Sequence, residues 1–371
     1  MVPRQAAGSD IASALAPAIV RELVEEKREP LKSKSNKGLN GDLKGTRKEK
    51  DQGSYKQEAL PEKLGATCPK TPAVPSLQRA VPVSESLAEE LSQAMLRLDM
   101  GLEQEYAYDI FSSLQKQPCY AFGKSDVPPP MTAEMRALVI DWVVQVHEYL
   151  GLAESTLYLA TYLMSAYMRV GKVRVPRLQL LGIACLFLAC KVEESTLPTP
   201  ARLCFMMEDA FTQKDLLRME RKILSRLKFE LHYTNPAHLL CLLAQVGHCT
   251  LELQNLAMYF MELTLLEVDC LCFEPAQLSL AALCLAQRVL REAGSSGLEA
   301  SQEASPRLLT YSESELAAVH PFMARAALRG AGSTLRGTFL KYSRPQKLGV
   351  STSPSLAASN YLHCCLGSPS P

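Results

Sequence analysis

Between Leu178 and Cys190 the chain reads Leu-Gln-Leu-Leu-Gly-Ile-Ala-Cys-Leu-Phe-Leu-Ala-Cys, and Lys191 ends the run just before Glu193-Glu194. No charge interrupts Leu180 to Cys190, so a helix here is apolar on every face and belongs in the middle of a globule, not along its edge. The chain must then surface at Lys191. A cation is favoured beside the unsatisfied carbonyls at a helix C-terminus, so Lys191 reads first as a C-terminal cap.

Two other segments give that lysine a second reading. Upstream stands Met135-Arg136-Ala137-Leu138-Val139-Ile140-Asp141-Trp142, and downstream Leu216-Leu217-Arg218-Met219-Glu220-Arg221-Lys222-Ile223-Leu224. With the Leu178–Glu194 stretch between them, they closely resemble the cyclin box of the A- and B-type cyclins, in order and in spacing. The resemblance is strong from Tyr108 to about Pro236 and weak over the rest of the C-terminal half, and within the family the chain looks divergent. It implies an all-α protein of two consecutive five-helix cyclin folds, which acts as the regulatory subunit of a cyclin-dependent serine/threonine protein kinase in the cell cycle.

Helical periodicity supports that architecture independently. Met135, Leu138, Val139, Trp142, Val143 and Val146 form an i, i+3, i+4, i+7 stripe, with Thr132 placed to cap it. A second helix is expected over Glu154–Arg169 with Leu157, Ala160, Thr161 and Met164 inward, then the apolar helix Val175–Glu194. A short helix over Ala201–Asp209 comes next, and one capped by Thr212 runs to about Leu227. After Asn235-Pro236 come five more apolar runs: Ala237–Val246, Leu251–Leu271, Pro275–Arg291, Ser312–Leu328 and Thr334–Lys341. The Gly-, Ser- and Glu-rich stretch Ala293–Thr310 reads as a surface loop. The Lys341-Tyr342-Ser343 to Val350-Ser351 segment resembles the family's closing stretch.

Outside these helices the chain reads as disordered. Arg21–Lys56 carries eleven Lys/Arg against seven Asp/Glu with few large apolar residues, and Pro61, Pro69, Pro72, Pro75 and Pro82 interrupt the next stretch of chain. Too little apolar surface is available there to offset chain entropy. The expected organisation is a disordered arm over 1–83, a first cyclin box with its preceding helix over 84–235, a second fold over 236–350 and a disordered tail over 351–371. Arg28, Leu31 and Asn36 match R-x-x-L-x-x-x-x-N, the pattern that marks mitotic cyclins for ubiquitin ligases; Lys-rich disorder is the plain alternative.

Composition narrows the function. A formal net charge of +1 predicts no broad attraction to nucleic acid or to a membrane, and the longest uncharged apolar run reads as too short to span a bilayer. Twelve cysteines, mostly within apolar helical runs, read as reduced structural thiols, since no Cys/His set has metal-site spacing. The six histidines pair with no nucleophile at a motif spacing and no glycine-rich phosphate loop occurs, so neither enzyme, metal nor cofactor is expected. Nuclear and cytoplasmic residence is the expectation.

By the resemblance, Lys191 and Glu220 converge and reach backbone groups of the kinase. Val192, Leu224, Leu227 and Phe229 form an apolar surround, with Tyr108 and Ile110 added from the preceding helix. A second surface is implied for R-x-L-containing substrates or inhibitors: a shallow groove of Met135, Leu138, Val139, Trp142, Leu178 and Gln179. That stripe is equally a core stripe by spacing. One departure stands out. Family members carry an aspartate facing the arginine of the opening motif, but Ser165 occupies that place here, so Arg136 needs another acid or a route to water. This departure keeps a pseudo-cyclin, or a transcription-associated scaffold that activates no kinase, open as the alternative.

Overall fold

A computed structural model describes residues 85–116, 123, 126–129, 131–294 and 311–367. Arg28, Leu31 and Asn36 lie outside the described residues, as do the arm over 1–83 and the segment 295–310. Among the described residues every regular element is helical, and no strand occurs.

Two leading helices, α1 (Glu85–Arg97) and α2 (Ala107–Lys116), precede a first group of five: α3 (Ala133–Leu150), α4 (Glu154–Val170), α5 (Leu178–Glu193), α6 (Pro200–Met206) and α7 (Gln213–Arg226). The caps at Thr132 and Thr212 are where the sequence places them. The Thr132 hydroxyl accepts from the Met135 N–H at 3.2 Å, and Gly151 closes α3 in the left-handed conformation at φ 67°. Thr212 and Asp215 form a reciprocal capping box on α7, which satisfies donors that the first turn would otherwise leave open.

Helix α5 is the centre of this group, and all thirteen residues from Leu178 to Cys190 are buried. It packs on α3, α4 and α7. Gly182 allows the closest approach: a Cβ there would meet Val139 Cγ1 at 3.0 Å and Val143 Cγ2 at 3.1 Å. With its leading turn, Val175–Glu193 spans nineteen residues, which by length and composition reaches that of a membrane-crossing helix and so corrects the expectation of a run too short. Most of its surface is buried against protein instead, and each fully buried leucine there contributes roughly 1.5–3 kcal/mol.

The second group comprises α8 (Pro236–Val246), α9 (Leu251–Leu263), α10 (Pro275–Glu292), α11 (Glu313–Ala317), α12 (His320–Arg329) and α13 (Gly337–Tyr342). Two expected helices are shorter than their apolar runs. The Leu251–Leu271 run stops at Thr264, whose hydroxyl turns back to donate to the Met261 carbonyl at 2.6 Å, and Val268–Cys272 continues as a 3-10 turn. Ser312–Leu328 divides at His320-Pro321, because proline cannot donate to the preceding turn and serves only at a helix start.

The tail departs from expectation as well. Instead of unwinding after residue 350, the chain forms α14 (Pro354–Ala358) and α15 (Asn360–Cys364), which bury Leu356 and Leu362 against α10 and α12. Arg288 donates to the Tyr361 hydroxyl at 2.7 Å, His320 Nδ1 lies 3.0 Å from the same oxygen, and the Tyr361 N–H donates to Glu292 at 3.0 Å. These polar anchors explain why a Ser-rich stretch holds a fixed place.

Helix α13 joins the two groups. It lies on α3, where the Gly337 N–H donates to Asp141 Oδ1 at 2.7 Å, and a Cβ on Gly337 would collide with the Asp141 carbonyl at 2.7 Å. Behind it, Lys341 is buried between two carboxylates, donating to Glu154 of α4 at 2.5 Å and to Glu262 of α9 at 2.6 Å. Lys347 reaches Glu154 at 2.8 Å.

Candidate partner-binding site

The last turn of α5 surfaces at Lys191, and the middle of α7 carries Glu220. The two side chains meet in an ion pair, with the Lys191 ammonium also 4.4 Å from the centre of the Phe187 ring. Their surroundings are unequal: the lysine side chain is 38% exposed and the glutamate 8%. The pair thus forms the edge of the core and faces outward through the lysine. An ion pair this open contributes at most about 1 kcal/mol to folding, so its geometry is not explained by stability.

Apolar side chains left in water occur on the same two segments, after α5 and along and after α7. Val192 is 54% exposed and Phe229 71%, while Leu217, on the same face of α7 as Glu220 and Leu224, is exposed too. Leu224 is half-buried and Leu227 buried. Phe229 is held outward by the backbone. Lys228 and Phe229 both adopt left-handed conformations, at φ 53° and 61°, fixed by a Phe229 N–H to Leu224 carbonyl bond of 3.0 Å. Such geometry costs a bulky residue on the order of 1–2 kcal/mol, and strain of this kind gathers at working surfaces.

The neighbouring Glu194 has a separate task. Its carboxylate accepts from the Ala153 N–H at 2.7 Å and the Thr156 hydroxyl at 2.6 Å, capping the start of α4, which has no capping side chain of its own. Lys191 and Glu194 therefore leave one helix end in opposite directions, one to α7 and one to α4. That capping role had no signal in the sequence beyond the acidic pair itself.

Not every expected residue joins this site. Tyr108 and Ile110 are half-buried on α2, whose main packing partners are α1 and α10, not the elements that carry Lys191 and Glu220. The expected groove is also absent as an open surface. Met135, Val139, Trp142, Leu178 and Gln179 are buried, Trp142 to 2% exposure, and only Leu138 is half-open. The physical reason is the close α3–α5 approach at Gly182, together with α13 covering another side of α3, so that the helix is enclosed and the stripe becomes core.

Arg136 does not reach water. It is fully buried and donates to the Leu265 carbonyl at 3.0 Å and the Ser165 hydroxyl at 3.1 Å. Burial pushes its guanidinium down to about 9, with Cys270 acting in the opposite sense. The second helical group thus supplies one of the acceptors for the first group's arginine, a solution that depends on both groups being present.

Comparison with known proteins identifies the family. The cyclin N-terminal domain matches residues 107–232 and the cyclin C-terminal domain residues 234–356. Among relatives, the G2/mitotic-specific cyclin-B2 of Bos taurus is 31% identical over 315 residues, covering 80% of this chain and 76% of that protein. The cyclin-B2 of Oryzias javanicus is 30% identical over 320 residues, covering 81% and 80%. A solved viral cyclin from herpesvirus saimiri matches at 16% identity with a TM-score of 0.48, over 59% of this chain and 96% of its own. Two domain matches that between them span most of the described helices, together with relatives about 30% identical over four fifths of the chain, give the assignment: the chain belongs to the cyclin family.

Proposed function

We propose that this protein is the regulatory subunit that binds and activates a cyclin-dependent serine/threonine protein kinase and so regulates the cell cycle. The observation that carries this reading is the Lys191–Glu220 pair, set at the edge of the core, with the exposed Val192 following Lys191 in the chain and the exposed Phe229 just past the end of α7. An ammonium and a carboxylate fixed in place can hydrogen-bond main-chain groups of a partner, and such charge-assisted bonds strengthen as the partner excludes water. The apolar side chains around them supply buried area. Clamped there, a kinase's C-helix is held inward, so that its own Lys–Glu pair and metal-binding aspartate align. The chain supplies no chemistry to the transfer; it shifts the kinase toward its competent state.

Co-expression with a panel of cyclin-dependent kinases tests the reading. The wild-type chain is expected to co-purify with at least one of them and to raise its phosphorylation of a Ser-Pro peptide. Lys191→Ala with Glu220→Ala is expected to lose co-purification while helicity by circular dichroism is retained. Undiminished capture by the double variant refutes the site. Capture without a rise in activity points to the pseudo-cyclin reading that Ser165 left open. With kinase regulation go residence in nucleus and cytoplasm and turnover by a ubiquitin ligase through Arg28, Leu31 and Asn36.

A further inference from the structure

A cavity of about 370 Å³ lies between the turn that leads into α5 and helix α7. Its rim holds five cations, Lys172, Arg174, Arg177, Arg218 and Lys222, against one acid, Asp215. All five are exposed. Asp215 is largely occupied, since its carboxylate accepts from the Thr212 hydroxyl at 2.6 Å and lies 3.9 Å from Arg218. Lys172, Arg174, Arg177 and Lys222 have no carboxylate within ion-pair distance among the described residues. In a chain of formal net charge +1, four uncommitted cations around one concavity are a local concentration that folding alone does not require.

The wall of the cavity adds an independent sign. Tyr167 is 1% exposed, lines the cavity, and its hydroxyl has no hydrogen-bond partner among the described residues. A buried hydroxyl left without a partner costs about 1–3 kcal/mol, so a ligand that parts the wall enough to reach it recovers that energy. Gly171 makes room for this placement: a Cβ there would lie 2.6 Å from the Tyr167 ring carbon that carries the hydroxyl. The Lys222 ammonium lies 6.0 Å from the centre of the same ring.

We infer that this cavity binds a phosphoryl group carried on a phosphoserine- or phosphothreonine-containing peptide. A dianion with three acceptor oxygens suits convergent Arg and Lys donors and the Tyr167 hydroxyl, and neutralising the cluster recovers its self-repulsion. The half-open concavity of about 370 Å³ fits one phosphoryl group and its flanks, whereas a polyanion or a lipid surface asks for an extended basic face. The site is also clear of the kinase surface. Glu220 stands two residues from both Arg218 and Lys222, about 200° around α7, so the cavity opens on the opposite side of that helix. The choice of a phosphopeptide rests on the proposed kinase partnership, because a kinase complex generates such segments; the anion site itself does not.

The test uses the full chain without a kinase, so its outcome is separate from that of the co-purification experiment. Fluorescence anisotropy with a labelled Gly-Ala-phosphoserine-Pro-Gly-Ala peptide is expected to show binding at least about tenfold tighter than the Ser counterpart, weakened by added salt and competed by excess inorganic phosphate. Arg218→Glu with Lys222→Glu is expected to lower the affinity at least tenfold with an unchanged melting temperature, and Tyr167→Phe to lower it several-fold. Equal binding of the two peptides, or full phosphopeptide affinity in the charge-reversed variant, overturns the inference. Tighter binding of a single-stranded RNA 10-mer or of phosphatidylserine vesicles, lost in the same variant, overturns it in favour of a different class of partner.

Discussion

Two lysine–glutamate arrangements sit on this fold, and their difference separates what holds the molecule together from what it offers to others. Lys341 is buried with Glu262, neither side chain exposed to solvent, and it ties α4, α9 and α13 into one polar knot. Lys191 meets Glu220 with more than a third of its side chain in water. In the first, charge removed from water must be met within the protein, so each member depends on the others. In the second, water already solvates the lysine, so the partner contributes little to folding and the ammonium remains free to meet another molecule.

The largest effect that tests this contrast is loss of Lys341. Lys341→Ala leaves Glu262 buried beside Glu154 with no cation between them, and breaking a buried pair costs about 3–5 kcal/mol. Urea denaturation is expected to show a loss of that size and reduced cooperativity, since α13 closes the first helical group onto the second. A loss below about 1 kcal/mol would mean that the two carboxylates find water, and the distinction between the two arrangements would fall.

How much of this was legible differs between the two sites for a physical reason. Lys191 and Glu220 sit in segments whose residue order is distinctive, so they can be named before any coordinates exist. Lys341 can be seen only as part of a closing segment, because its partners lie 187 and 79 residues away and nothing local marks a lysine as buried. The same limit explains the groove: an apolar stripe at helical spacing fits core and docking surface equally, and α13, which covers α3, is nearly two hundred residues downstream. The tail fails for the converse reason. Ser- and Pro-rich composition reads as disorder, while Tyr361 and Leu362 dock on Arg288 and the α10–α12 surface through contacts that no periodicity announces.

Acidity sharpens the comparison next. Burial pushes the Glu154 carboxyl up, but the Lys341 and Lys347 charges outweigh it and hold the group below its ordinary value of 4.5. Glu262, deeper, is pushed up by burial, with Lys341 opposing. For Glu154 the folded state therefore favours the ionised form, so its contribution is complete above about pH 4.5 and is lost as pH falls below it. Glu154→Gln is expected to cost on the order of 2–3 kcal/mol at pH 7 and progressively less below pH 4.5, read by urea midpoints against the wild type across pH. A gap that stays constant down to pH 3 would show that Glu154 acts through packing rather than charge.

The smallest expected effect is at the outward pair, and its smallness is the point. In Lys191→Ala, Glu220, only 8% exposed, loses its cation, and water entering the space that the lysine side chain vacates can solvate it. The change in stability is expected to stay below about 1 kcal/mol, near the limit of a denaturation measurement. Capture of a kinase by the same variant is expected to fall sharply, because in a closed interface the lost ammonium leaves partner groups buried without a donor, at about 2–5 kcal/mol. The two measurements are therefore predicted to diverge at Lys191 and to move together at Lys341, where any loss of binding comes from loss of fold. If Lys191→Ala destabilises the chain as much as Lys341→Ala does, the Lys191–Glu220 pair is a structural clasp, and the exposed Val192 and Phe229 need another explanation.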